Sequence, residues 1–291
     1  MAALRGALMF KSKSKPVVLI TGTSSGVGLH TALRFAQAGY TTIATMRDTG
    51  KQDDLLAQAK ALKVKVHVEK LDVQKPKSID ACVKKVIRKY GRIDVLVNNA
   101  GAGFLGGIEQ TTDADLERVM GINFFGVWRM TKAVFPHMRE AGAGRIISVT
   151  SIGGLIGQPF NDAYCAAKFA VEGMMEAFAP LARRLGVQVS LIEPGPINTE
   201  FVASVRATSD LAGFEPPYAE ILGKYMGATT NVFAEYGQTG DDIAAIIVEA
   251  ATTDTPHFRY ITSDFARQVV APKVVDPTGD SVVEAFAARL T

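Results

Sequence analysis

The sequence is poor in the residues that build staples and metal sites. Two cysteines, Cys82 and Cys165, stand among 291 residues. Two thiols make no disulfide framework in a chain of this length, and neither has zinc-ligand spacing. The four histidines are scattered without pairs, so no metal centre is expected. So little cysteine suits a reducing compartment, and a cytoplasmic location is the expectation. Charge of one sign is scarce as well: 32 Lys and Arg against 29 Asp and Glu leave +3. That small excess, with no basic stripe, argues against a nucleic-acid surface. Long apolar runs are missing. The opening "MAALRGALMF" is too short to cross a bilayer and is broken by Arg5, and it lacks a signal-peptide core and cleavage site.

What is present is an ordinary globular composition, 47% hydrophobic and 21% charged, which excludes a disordered chain. Lys11, Lys13 and Lys15 read as part of a solvated, flexible tail over residues 1–15. Residues 16–291 are enough for one α/β domain with a large core. Apolar runs fall at Val17–Thr21, Thr41–Met46, Val64–Leu71, Ile93–Asn98, Arg145–Thr150 and Gln188–Ile192, with a last one at Phe258–Thr262. Several are too continuously apolar for a sheet with a wet face and suit parallel strands covered on both sides. Amphipathic stretches such as Gln52–Leu62 and Lys77–Lys89 lie between them. This alternation predicts a single-domain, Rossmann-type doubly wound parallel sheet of about seven strands, with ligands at the carboxyl edge. A helix is expected near Asp241–Ala251, and a turn with a short helix in "DPTGDSVVEAFAARL". The alternation breaks after Ile192, and Thr199–Gln238 reads as a helical substrate lid.

"VVLITGTSSGVG" runs from strand through glycine turn into helix. Gly22, Gly26 and Gly28 let the backbone turn tightly and approach a pyrophosphate, which the new helix meets with unpaired N–H groups; Ser24, Ser25 and Val27 lie on the same loop. The next strand ends "TTIATMRD". Arg47 there can grip a 2′-phosphate in a fork, which favours NADP(H), whereas Asp48 would serve a ribose if the register shifted by one. Asp72, followed by Val73 in "KLDV", is either an acceptor for the adenine amino group or a turn aspartate.

The fourth strand ends "VLVNNAGAG". Asn98 and Asn99 can bond backbone or sugar groups, while Ala100, Gly101 and Gly103 leave room for a flat ligand; a plain turn is the alternative. The fifth strand ends with Ser151. Tyr164 and Lys168, in "YCAAK", are spaced to share one helix face. A phenol titrates near pH 10. A cation about 4 Å away, at an effective dielectric of about 20, favours the phenolate by roughly 4 kcal/mol, or about 3 pKa units before desolvation takes some back. That would bring it near the pH at which a general acid–base works best. Ser151 can bond the substrate oxygen.

"TGTSSGVG", "NNAG", Ser151, "YCAAK" and "EPGPINT", in this order over essentially the whole chain after the tail, resemble the short-chain dehydrogenase/reductase family. The resemblance implies that Tyr164 is the acid–base, that Lys168 lowers its pKa and holds the nicotinamide ribose, and that Ser151 orients the carbonyl. It implies that Asn123, in "GINFFG", holds a water linking Lys168 to solvent. From sequence alone Asn123 is a polar helix residue satisfied by backbone. Pro194, Gly195, Ile197 and Thr199 would shape the nicotinamide end, Thr199 bonding its carboxamide. "GGLIGQPFNDAYCAAKFAVEG", "TMRD", "FRYIT" and "DPTGDS" are similar to the branch of 17β-hydroxysteroid dehydrogenase type 1 and the photoreceptor-type retinol dehydrogenases, which implies NADP(H) and large apolar alcohols or ketones. The likeness departs in the lid and the C-terminal helix. There the polar residues by which the estrogen enzyme grips the far end of its steroid are not found; Glu220 and Arg289 stand in their places, so the resemblance does not extend to estrogen.

The expected partner is therefore a small-molecule hydrophobic carbonyl compound or alcohol, a bulky ketone or aldehyde rather than a sugar, walled by Leu155, Ile156, Phe160, Phe201, Phe214, Tyr218 and Met226, with glycines 213, 223 and 227 as lid hinges. Two rivals are a ketoreductase of acyl chains or small ketones and a non-enzymatic NADP-sensing protein on the same scaffold. The family also implies a homodimer or homotetramer through the helices after the fourth and fifth strands. Phe124, Phe125 and Trp128 belong either to such a contact or to the core.

Overall fold

The structure is a computed structural model that describes residues 15–199, 205 and 214–288. The expected tail up to Ser14, Phe201, Gly213 and Arg289 lie outside the described residues. Strands β1 (Val17–Thr21), β2 (Thr41–Met46), β3 (Val66–Lys70), β4 (Val95–Asn98), β5 (Gly144–Val149), β6 (Val187–Glu193) and β7 (Arg259–Ile261) form one sheet in the order β3-β2-β1-β4-β5-β6-β7. Every adjacent pair is parallel. This is the expected Rossmann-type doubly wound sheet.

Successive residues of β1 enter opposite layers. Val17 and Leu19 pack with α3 (Pro76–Tyr90), α5 (Gly126–Ala141) and α6 (Asp162–Arg184). Val18 and Ile20 pack with α1 (Gly26–Gln37), α2 (Asp53–Ala61) and α8 (Gly240–Thr252). Both faces of the sheet are thus covered, which is why the strands read as unbroken apolar runs rather than alternating ones. The chain runs outward from β1 to β3, crosses back to β4, and continues to β7. The switch between β1 and β4 opens a crevice at the carboxyl edge, where ligands bind in open sheets of this kind.

Helix α4 (Asp113–Met120) passes into α5 through a π-turn over Gly121–Phe125. One wider turn inside a helix re-aims a side chain and is frequent at functional sites; here the residue it carries inward is Asn123, which is 1% exposed. Helix α7 (Tyr218–Tyr236) lies in the expected lid, followed beyond β7 by α9 (Asp264–Val275) and α10 (Asp280–Ala287). Gly223 and Gly227 sit inside α7, with open space beside them. They are ordinary helix positions and not the expected hinges. Among the described residues no helix is long and apolar enough to cross a membrane.

Candidate active site

The glycine turn is built to be approached closely. Gly22 has φ +71° and Gly26 has φ +54°, a left-handed region that side chains disfavour. A Cβ on Gly28 would stand 2.1 Å from the Gly22 carbonyl oxygen and 2.4 Å from Asn99 Nδ2; one on Gly22 would meet Ala100 Cα at 2.7 Å. Asn99 Nδ2 donates to the carbonyls of Thr21 and Gly22 at 2.9 and 2.8 Å, and the Thr21 hydroxyl accepts from the backbone N–H groups of Asn99 and Ala100. The two strand ends thereby lock each other. Ser25 precedes α1 without capping it by its side chain, and the first turn holds no acidic residue, so the positive end of the helix is left open to an anion. Ser24 is half-buried, Ser25 exposed and Val27 half-buried on this loop. These residues fit a dinucleotide pyrophosphate.

Arg47 follows β2 directly, is exposed, and has no ion pair among the described residues. The alternative Asp48 is occupied otherwise: its Oδ1 accepts from the Gly50 N–H at 2.9 Å and caps a short 3-10 turn. Asp72 also takes a structural part, accepting from the Gln74 N–H at 3.0 Å while its own N–H donates to Ser78 Oγ. Val73 is 8% exposed and packs where Gly126 leaves room. Asn98 is buried, donating from Nδ2 to Thr131 and Ser148. Thr199 packs against Gly26, to which a Cβ would come within 3.4 Å of it. This brings the segment after β6 across the crevice onto the glycine turn. Pro194 is buried and accepts from the Ile152 N–H at 2.9 Å, Gly195 packs on Ala266, and Ile197 bridges Gln238.

Ser151 leaves β5 at the same edge. Its Oγ accepts from the Gly153 N–H at 3.0 Å and caps the 3-10 turn Ile152–Gly154. The Tyr164 hydroxyl, on the first turns of α6, is hydrogen-bonded to Ser151. Lys168 lies one turn further on, 6% exposed, with Nζ donating to the Val149 carbonyl at 3.1 Å and 5.6 Å from the centre of the Tyr164 ring. The structure therefore brings Ser151, Tyr164 and Lys168 together.

The electrostatics differ from the expected balance. Burial pushes the Tyr164 hydroxyl well above the usual phenol range, and the Ser151 bond pulls only partly the other way. Lys168 is drawn down to about 8, chiefly by burial, with the Glu172 charge opposing. In the chain alone desolvation of the phenolate outweighs the Ser151 bond, and the Lys168 ammonium is turned to a backbone carbonyl. The depressed phenol expected from the Tyr–Lys spacing is not a property of the isolated pair. Asn123 donates to the carbonyls of Ala102 and Val119 at 2.8 and 3.1 Å and accepts from the Ala102 N–H at 3.1 Å. Its side chain is thus satisfied by backbone. Gly101 leaves a gap beside it: a Cβ there would stand 2.9 Å from Asn123 Oδ1 and 3.7 Å from Lys168 Nζ.

An apolar cluster gathers around Phe160, just before the start of α6. Phe160, Phe214, Tyr218 and Met226 gather with Leu105, Leu222 and Tyr225. Phe160 has φ +58°, an unusual conformation for a bulky residue. It is held by edge contact with Phe214 at 5.9 Å, while the next residue, Asn161, donates to the Tyr225 hydroxyl at 3.1 Å. Leu155 and Ile156 are not part of this wall. They pack with Ala266, Val270 and Phe286, where the turn after Ser151 meets α9 and α10, Ile156 fully buried.

Sequence reasoning missed one group altogether. Glu172, Glu193 and Arg259 meet behind Lys168, from α6, β6 and β7. The signal was a glutamate on the lysine's own helix face, one turn on.

The short chain dehydrogenase family matches residues 16–210. A 17-beta-hydroxysteroid dehydrogenase type 1 from Homo sapiens is 37% identical over 286 residues, covering 94% of this chain and 85% of that protein. A retinol dehydrogenase 8 from Bos taurus is 37% identical over 274 residues, covering 91% and 87%. A solved short-chain dehydrogenase from Streptomyces avermitilis superposes with a TM-score of 0.79 at 31% identity, covering 96% of this chain and 98% of that one. The ordered glycine turn, the gathered serine, tyrosine and lysine, and the full-length likeness agree: this chain belongs to the short-chain dehydrogenase family of oxidoreductases and is related to hydroxysteroid and retinol dehydrogenases.

Proposed function

We propose that the chain is an NADP(H)-dependent oxidoreductase that interconverts a bulky hydrophobic ketone or aldehyde and its alcohol, steroid- or retinoid-like in size, with Tyr164 as general acid–base. The observation that carries this reading is a buried phenol bonded to Ser151, with a buried ammonium one turn on, placed between a glycine cradle and an apolar cluster. When bound, the nicotinamide dinucleotide supplies hydride donor and acceptor chemistry. Gly22, Gly26, Gly28 and the serines between them would hold its pyrophosphate. Arg47 would hold the 2′-phosphate and Asp72 and Val73 the adenine end. Asn99, Ala100 and Gly101 would border the ribose, and Pro194, Gly195, Ile197 and Thr199 the nicotinamide.

The protein's part is position and proton control. Ser151 donates to the carbonyl oxygen and fixes its place. Tyr164, held protonated by burial, gives its proton to that oxygen in the reductive direction. Lys168 stabilises the phenolate left behind and donates to sugar hydroxyls, and Asn123 shapes the route by which the lysine is reprotonated. Phe160, Phe214, Tyr218 and Met226 exclude water and favour an apolar substrate over a sugar. Residues 16–291 act as one domain, with 199–238 as the lid. Assembly as a homodimer or homotetramer through α5 and α6 would cover Phe125 and Trp128, which are 44% and 50% exposed. The test is a panel of steroids, retinoids and β-ketoacyl esters, followed by loss of NADPH absorbance. Turnover confined to the large apolar carbonyls supports the reading. Turnover confined to the acyl esters replaces it with a ketoreductase, and no turnover on any of them, with NADPH still bound, points to a sensing protein.

A further inference from the structure

Behind the candidate site lies a charged cluster that the proposed chemistry does not use. Glu193, at the end of β6, is fully buried, and Glu172, on α6, is 4% exposed. The two carboxyls lie within hydrogen-bonding reach of each other. Arg259, on β7, donates to both through Nη1, to Glu193 Oε1 at 2.6 Å, and through Nη2 to the exposed Glu176 at 2.8 Å. One oxygen of each buried carboxyl, Glu172 Oε1 and Glu193 Oε2, has no hydrogen-bond partner among the described residues. Two buried acceptors with no donor are costly, and like charges in contact more so. One proton shared between the pair relieves both. Burial pushes both carboxyls toward holding that proton, and the Glu172 charge adds to this at Glu193, while Arg259 opposes it at both and the Glu193 hydrogen bond favours the ionised Glu172.

The pair is coupled to the site by the helix. Glu172 is one turn from Lys168 on the same face of α6, and its charge is the one that opposes the desolvation of the ammonium. The turn between them is sealed. A Cβ on Gly154 would stand 3.0 Å from Glu172 Cγ and 3.2 Å from the Lys168 carbonyl, and Thr150, whose hydroxyl donates to the Ile192 carbonyl at 3.2 Å, lies beside Glu172. Glu176 on α6 is spent on Arg259, and Lys273 on α9 lies over the Phe169 ring at 4.3 Å, so neither competes for Lys168. We propose that the Glu172–Glu193 pair, clamped by Arg259, is a proton-sharing counterion that holds the Lys168 ammonium charged and in place at the floor of the site. Glu172 and Glu193 are positioning residues: they act through Lys168. The inference rests on the proposed role of Lys168 and names what regulates its charge.

The two carboxyls predict different outcomes. Glu172→Gln removes the charge nearest Lys168, so the lysine loses its proton more easily. Glu193 is the carboxyl that holds the shared proton; Glu193→Gln keeps a hydrogen-bond donor there and leaves Glu172 ionised, so the lysine changes little. The experiment is a pH titration of the full chain labelled with 13C at lysine Cε, with the Lys168 resonance identified by its absence in Lys168→Met. Glu172→Gln should lower the Lys168 midpoint by about one pH unit. Glu193→Gln and Glu176→Gln should leave it in place. Should Glu172→Gln not fold, Glu172→Asp, which draws the charge back by one methylene, decides by a smaller downward shift. No shift in the Glu172 variants, or an equal shift in Glu193→Gln, overturns the proposal. NADPH fluorescence titrations on the same samples separate the two levels. A Lys168 response without NADPH binding overturns the cofactor reading and leaves the counterion standing; binding and ketone reduction without a Lys168 response do the reverse.

Discussion

At Lys168 burial works against the charge that the site needs. The ammonium is drawn down to about 8, so in the free chain half of it is neutral at that pH and more above it. Tyr164 is pushed the other way and stays protonated through the same range. The alkaline limb of reductive kcat/KM, which reports groups of the free enzyme, should therefore fall near pH 8 and belong to the lysine. A profile flat from pH 7 to 10 would contradict this. Arg47 offers a second test. Arg47→Ala should weaken NADPH about tenfold to a hundredfold, as expected for loss of a charge-assisted pair, and leave NADH unchanged in fluorescence titrations at moderate salt. Equal losses for both would mean that the guanidinium does not read the 2′-phosphate. Ser151, Tyr164 and Lys168 were legible in the sequence because their spacing is local: one strand end and one helical turn. The balance of burial over charge at Tyr164 was not, since desolvation depends on what covers the ring. Nor was the Glu193–Arg259 pair, whose partners come from two strands set side by side only by sheet register.

The elements were legible where pattern alone decides them. Val17–Thr21 and Thr41–Met46 form as read, because strands covered on both faces are apolar throughout. The third and fifth strands run Val66–Lys70 and Gly144–Val149 against expected Val64–Leu71 and Arg145–Thr150. Their ends are fixed by pairing, Val66 with Thr42 and Gly144 with Val187, which the single strand does not carry. Helix α9 was not read: Pro272 interrupts its pattern, and its hold is the Ser263 cap and the packing of Ala266 and Val270 on the turn after Ser151. The π-turn that buries Asn123 has no sequence signature. Two glycines separate turn from helix. Gly28→Ala forces a Cβ into the Gly22 carbonyl and should cost about 1–3 kcal/mol, seen as a lower Tm together with loss of NADPH binding. Gly173→Ala, in the middle of α6 with open space around it, should gain about 0.5–1 kcal/mol, seen as a higher Tm with binding intact. Equal effects at the two positions would mean that the cradle is not tight.

Over the whole molecule, the doubly wound sheet brings distant stretches of chain to one edge. The glycine turn after β1, Asn99 after β4, Ser151 after β5 and Thr199 after β6 all line the crevice. A ligand that bridges them ties both halves of the sheet together and should stabilise the fold by mass action. At a hundredfold excess over its Kd, NADPH should add about 2.7 kcal/mol, a rise in Tm of about 4–5 °C for a chain of this length. NADH at the same concentration should do less. The central claim is that the Tyr164 hydroxyl carries the proton of the reaction, and replacing it with nothing tests that most directly. Tyr164→Phe should bind NADPH as the native chain does, yet reduce the best carbonyl compound of the substrate panel at least about a hundredfold more slowly. Reduction by that variant at the native rate would contradict the account.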